Sequence, residues 1–200
     1  MVSKTEDHGA DNTRRLTDPL PCVQSINSAK TTAATDDRQP KSTKIPQKSP
    51  QLRQELLNSA IPAHLHDQLD YKSVTAKEAF ELVEHKRSGW VVPFKDPEGK
   101  HYLTKKGKPF YRLKPEEGER KYLSPPEEGC RPYFSRLLNQ KHLASGRDIF
   151  ITEGEKKTDC LVANGFPTIG LSGVWCWKDH RLGESKMLPE LTNFNWKKRT

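Results

Sequence analysis

Between residues 148 and 173 the chain reads DIFITEGEKKTDCLVANGFPTIGLSG. The residues in it that can do chemistry are one carboxylate, Glu153, the lysines Lys156 and Lys157, and the pair Ser172 and Gly173. Gly154 follows the acid directly, where an apolar run stops, so the chain can turn sharply there. A helix that begins at this point presents unpaired N–H groups and the positive end of its dipole, a setting that accepts an anion or a metal-bound phosphate. Lys156 and Lys157 on its first turn are unfavourable against that dipole, which points to a negative partner that offsets them. These residues alone leave a blander alternative standing, in which Glu153 is a surface carboxylate that helps to cap the helix.

The elements that must position these groups are legible in the same stretch. Ile149, Phe150 and Ile151 read as a buried strand, EKKTDCLVAN as a helix with Leu161 and Val162 facing inward, and Gly165 as its stop. FPTIGLSG supplies a second strand. Strand, helix and strand in so short a span make a βαβ unit, with parallel strands and a right-handed crossover. Glu153 then stands at the carboxyl end of the first strand, and Ser172 and Gly173 at that of the second. Open α/β sheets bind their ligands along that edge.

Upstream, from Gly89, the pattern is that of short antiparallel strands. GWVVPF and HYL flank the turn KDPEGK as a hairpin does, and FYRLKP and RKYLSPP continue with aromatics and charges in alternation. Lys95, Lys100, Lys105, Lys106, Lys108, Arg112, Lys114, Arg120 and Lys121 are interleaved there with Tyr102, Phe110, Tyr111 and Tyr122. Cations on phosphates and aromatic faces on unpaired bases suit single-stranded nucleic acid. Taken singly, each aromatic is better read as core, with the charges on the wet face. Trp175 and Trp177 in VWCW are likewise read as packing.

Before these strands, Ser49 can cap a short helix with Leu52, Leu56 and Leu57 at helical spacing. Thr75 and Glu78 form a capping box for a second helix whose apolar face is Ala79, Phe80, Leu82 and Val83. His64 and His66 between them read as solvated histidines rather than metal ligands. The expected organisation is a disordered tail and linker over 1–50, short helices over 51–88, an antiparallel basic segment over 89–145 and the βαβ domain over 146–200. The fold class is α+β.

Composition sets the bounds. All seven Phe, four Trp and five Tyr lie at or after Tyr71, so the first third has little to bury. The formal charge of +8 and a pI near 9.3 favour an anionic partner, nucleic acid first. Cys22, Cys130, Cys160 and Cys176 are too widely spaced for a zinc knuckle or a disulfide framework and read as reduced thiols of a cytoplasmic protein. No apolar stretch approaches the ~20 residues of a membrane span, so no membrane partner is expected.

ITEGEKKTDCLVANGFPTIGLSGVW resembles the first βαβ unit of the Toprim fold, shared by bacterial primases, topoisomerases and certain nucleases. It is most similar to the Toprim-like domain, of the DUF3854 type, in phage primase-like proteins and cyanobacterial plasmid replication proteins. The stretches GWVVPFKDPEGKHYL, FYRLKP and KYLSPPEEGCRPYF resemble the strand-rich segment that precedes it there, so the resemblance spans roughly residues 50–200. It implies that Glu153 is a general acid or base in phosphoryl transfer. It also implies Mg2+ held by acids of a later Asp-x-Asp motif, with Glu153 at most a secondary contributor. Lys157 stands where replicative primases carry an aspartate, a feature closer to the topoisomerase pattern. No Asp-x-Asp follows Glu153.

The chain is therefore expected to be the N-terminal, truncated piece of a plasmid or phage DNA replication protein, without a bound metal or activity of its own. Its expected partners are DNA or RNA, single-stranded first, and a helicase-like region further along the parent chain. A non-catalytic nucleic-acid-binding module and a fragment of a Toprim nuclease are the alternatives. Phosphate contacts are expected from Lys156, Lys157, Ser172, Gly173, Lys105, Lys106, Lys108 and Arg112.

Overall fold

A computed structural model describes residues 48–144, 146–179, 186–192, 194 and 196. The chain divides into two units, 1–42 and 43–200. The first unit, with Cys22 and nearly all of the expected tail, lies outside the described residues. Residues 48–50, counted with the tail from sequence, belong to the fold: the buried Lys48 donates from Nζ to the Leu69 carbonyl at 2.8 Å.

The fold of the second unit is α+β. Helix α1 (Pro50–Asn58) begins where its sequence dictates, with Pro50 in its first turn and the Leu52 N–H donating to Ser49 Oγ at 3.2 Å. A 3-10 turn (Ala63–Gln68) leads to strand β1 (Lys72–Val74), which the sequence reading had placed within a helical segment. Helix α2 (Ala76–Val83) carries the Thr75 and Glu78 capping box. Strands β2 (Gly89–Pro93) and β3 (Tyr111–Pro115) complete an antiparallel sheet of order β1-β2-β3.

Alternation along β2 seals this sheet on both faces. Trp90 and Val92 pack with Leu52, Leu56, Ile61 and Leu69 on one side, while Val91 meets Val74, Ala79, Val83, Leu113 and Leu123 on the other. The expected hairpin differs in detail. The ladder partner of β2 is β3, and the residues between them form narrow turns closed by the isolated bridges Lys95 to His101 and Leu103 to Pro109. Phe110 is core, as read from alternation, whereas Leu57 and Phe80 are 47% and 46% exposed rather than inward.

A second sheet has the order β4-β6-β5. Strands β5 (Phe150–Glu153) and β6 (Thr168–Leu171) are parallel and joined by α4 (Glu155–Ala163), so the βαβ unit is present. Strand β4 (Tyr133–Phe134) runs antiparallel to β6 and comes from upstream of the expected boundary at 145/146, so the two segments share a sheet. Helix α3 (Gln140–Ala144), the antiparallel pair β7 (Lys178–Asp179) and β8 (Lys186–Met187), and α5 (Pro189–Thr192) follow in chain order around this unit. Phe134, Leu143, Ile169, Leu171, Leu188 and Leu191 form its core.

Two expectations fail here. Strand β5 lies at the edge of its sheet, so Phe150 and Ile151 are 46% and 52% exposed instead of buried. On α4 the fully inward residues are Glu155, Thr158 and Asp159, while Leu161 and Val162 are only half-buried. The space under α4 is filled by Tyr71, Arg112 and Tyr133 from upstream of the βαβ unit, so apolar residues are not required there. Among the described residues no helix is long and apolar enough to cross a membrane.

A candidate phosphate-binding cleft at the strand ends

The sharp turn after β5 depends on Gly154, whose φ of 95° and ψ of 145° are open to glycine and strained for other residues. Its N–H donates to the Leu171 carbonyl at 2.8 Å, and its own carbonyl accepts from Thr158 Oγ1 at 2.9 Å. This ties the ends of β5 and β6 to the first turn of α4. Gly170 lets α4 approach the sheet: a Cβ there would overlap Thr158 Oγ1 and lie 3.2 Å from Tyr133 Cβ.

Below that turn lies a polar cluster that sequence reading missed. Asp159 is fully buried and accepts from Tyr71 Oη at 2.7 Å and from Tyr133 Oη at 3.0 and 3.1 Å. Burial raises its carboxyl to about 6, against the opposing pull of hydrogen bonds from Ser135, Tyr71 and Tyr133. Burial, with Asp159 beside them, also pushes both tyrosine hydroxyls well above their ordinary range. Three segments far apart in sequence, at 71, 133 and 159, are thus joined by directional bonds.

Above the turn opens a cleft of about 740 Å³. Glu153, Gly154, Lys157 and Ser172 line one side, from the ends of β5 and β6 and the start of α4. Arg112, Lys121 and Tyr122 line the other, from β3 and the residues after it. The βαβ unit and the basic antiparallel segment therefore share one concavity. Glu153, Lys121 and Lys157 are solvent-exposed.

Arg112 sits at the floor of the cleft. It forms a buried ion pair through Nη1 with Glu155, which is 1% exposed, and its guanidinium lies 4.8 Å from the Tyr122 ring centroid. Neither Arg112 Nε nor Glu155 Oε2 has a hydrogen-bond partner. Burial, with Glu155 close by, raises the Tyr122 hydroxyl. Lys156 lines the cleft too, but its ammonium pairs with Glu55 of α1, which also accepts from Lys114 at 2.9 Å. Burial alone would push the Glu55 carboxyl up; the hydrogen bonds from Lys156 and Lys114 outweigh it and hold the group below its usual value.

Of the residues singled out from sequence, Glu153, Gly154, Lys156, Lys157, Ser172 and Arg112 meet at this cleft. Gly173 follows just outside it, and a Cβ on it would stand 3.6 Å from Cys176 Sγ. Lys105, Lys106 and Lys108 do not line it. They lie on the turn between Leu103 and Pro109, where Lys106 pairs with Glu84 at 2.7 Å. His66 is buried, with Nε2 2.9 Å from the Ile61 carbonyl, and is not the solvated histidine expected. Trp177 packs as expected against the C-terminal core, whereas Trp175 is 69% exposed. Cys130 and Cys176 are thiols in contact; that hydrogen bond, with burial, raises the Cys176 thiol.

Asp159 and Glu155 escaped notice because an inward polar helix face has no signature until its partners are known. The one available signal was their spacing of four residues, which puts both on one side of α4. Among the described residues no three His, Cys, Asp or Glu side chains converge, and of the two cleft carboxylates Glu155 is held by Arg112.

Fold and cleft together define an α+β chain with a cationic concavity at the carboxyl edge of a βαβ unit. Residues 138–200 match the family model described as Domain of unknown function (DUF3854). The match spans β5, α4 and β6, and with them Glu153, Lys156, Lys157 and Ser172; Arg112, Lys121 and Tyr122 are contributed from outside it. No curated protein and no solved structure matches the chain.

Proposed function

We propose that the cleft holds the phosphates of a nucleic-acid strand. In this reading the chain is the phosphate-binding part of a Toprim-like phosphoryl-transfer domain in a plasmid or phage replication protein. The observation that carries it is the convergence of Arg112, Lys121 and Lys157 with Glu153 at the start of α4, around one cavity of about 740 Å³. An anion placed there gains the helix N-terminus and the exposed ammonium groups of Lys121 and Lys157. The net charge of +8 raises the local concentration of a polyanion over the whole surface. Glu153, exposed and next to that anion, stands where a general acid or base would act, given Mg2+ held by further carboxylates.

Binding without chemistry is the second reading. It is favoured by the make-up of the cleft, where Glu155 is engaged by Arg112 and Glu153 is the remaining carboxylate. The two readings share the binding step, which fluorescence anisotropy of a labelled oligonucleotide tests. The Lys121→Glu/Lys157→Glu variant is expected to lose at least tenfold in affinity at low salt, while Glu153→Gln binds as tightly as the wild type or slightly more tightly. Undiminished binding by the lysine variant would overturn both. With Mg2+ added, the 200-residue chain is expected neither to extend nor to cleave the oligonucleotide.

A further inference from the structure

The loop after β6 leaves an indole in water within a few residues of the cleft. Ser172 lines the cleft, and Trp175 follows three residues later, at most about 10 Å along even a fully extended chain. The loop is fixed by its backbone: the Cys176 N–H donates to the Gly173 carbonyl at 2.9 Å, that of Lys178 to Trp175 at 3.2 Å and that of Leu188 to Trp177 at 2.9 Å. Trp177 is drawn into the core, yet Trp175 remains 69% exposed and its neighbour Val174 64% exposed. Lys178 Nζ stands 5.0 Å from the centroid of Trp175 and 4.9 Å from that of Trp177. A large aromatic held in water beside a cation forgoes the burial that ordinarily stabilises such a residue, and a contiguous exposed apolar pair marks a contact surface.

We propose that Trp175 is a stacking platform for an unpaired base of the strand whose phosphates lie in the cleft. The inference rests on the function proposed above and narrows its ligand to single strands. An indole face accepts any base that is not already paired, and Lys178 beside the ring adds a cation for the adjoining phosphate. A duplex keeps its bases stacked on one another and offers the ring nothing comparable.

The test uses the full chain with three ligands of equal length: oligothymidylate, an abasic phosphodiester and a duplex. Oligothymidylate should quench the tryptophan fluorescence. Trp175→Ala should weaken its binding by about 5- to 140-fold, the value of one base stacked on an aromatic side chain, and Trp175→Phe should restore most of that. The abasic strand and the duplex should bind the wild type and Trp175→Ala alike. Because the side chain is exposed, both variants should keep the thermal transition of the wild type, which circular dichroism checks. Equal binding of oligothymidylate by the wild type and Trp175→Ala, with salt-dependent binding retained, would overturn the stacking role and leave the cleft reading intact. If none of the three ligands binds, both fall.

Discussion

The two three-stranded sheets of this protein are held by different chemistry. The β1-β2-β3 sheet is sealed by apolar side chains on both faces, and its central strand β2 is buried along its whole length. The β4-β6-β5 sheet leaves β5 at an exposed edge and receives from α4 not an apolar face but Glu155, Thr158 and Asp159, each bound to a specific partner. Apolar packing tolerates approximate fits, whereas buried hydrogen bonds and ion pairs demand particular geometry. The candidate site lies where the demanding chemistry is. Arg112 belongs to both regions, a β3 side chain whose charge is matched by the first turn of α4.

The largest effect should come from breaking that link. Arg112→Leu leaves Glu155 buried without a partner and is expected to cost about 3 to 5 kcal/mol in urea unfolding. The double variant Arg112→Leu/Glu155→Leu should recover most of the loss. If the double variant is as unstable as the single one, the loss comes from packing and not from an unpaired charge.

The apolar sheet gives the next comparison. Leu56→Ala, at a fully buried position of α1, should cost about 2 to 5 kcal/mol, whereas Ile151→Ala on the exposed edge strand should cost roughly 0.5 kcal/mol or less. Equal costs would mean that the β5 edge is covered in solution.

The Asp159 cluster should reveal itself through pH. Its carboxyl titrates at about 6 in the folded chain against an ordinary value of 3.8, so the folded state holds the proton more tightly. The resulting stability is complete below pH 3.8 and is lost as pH rises through 6. The difference in unfolding free energy between the wild type and Asp159→Asn should therefore fall by on the order of 3 kcal/mol from pH 4 to pH 7. A difference that stays flat, or grows with pH, would contradict the assignment.

Gly170→Ala tests the closeness of α4 to β6 and should cost about 1 to 3 kcal/mol through the clash with Thr158. Relief of that cost by Thr158→Ala, which removes the overlapping Oγ1, would localise it.

The elements whose cause is local were legible in the sequence. The capped helices at Ser49 and Thr75, the βαβ unit and the turn at Gly154 follow from caps, periodicity and a glycine, which act within a few residues. The βαβ stretch disclosed five of the residues now found together at the cleft, because strand ends and a helix start place them geometrically. What escaped depends on contacts across the chain. That β5 is an edge strand follows from the sheet order, and β4, drawn from upstream, occupies the far side of β6. The inward polar face of α4 follows from Tyr71, Tyr133 and Arg112, none of which announces its partner. Lys156 lines the cleft, and its pairing with Glu55, 101 residues away, had no signal in the local sequence.

The most direct test of the cleft is the salt dependence of single-strand binding, measured for the wild type and for Lys121→Glu/Lys157→Glu. Each lost phosphate contact lowers the slope of log K against log salt by about 0.7 for a single strand. The account predicts a slope shallower by about 1.4 in the double variant, with weaker binding throughout. An unchanged slope and affinity would place the nucleic acid elsewhere on the surface, or nowhere, and would contradict the proposed site.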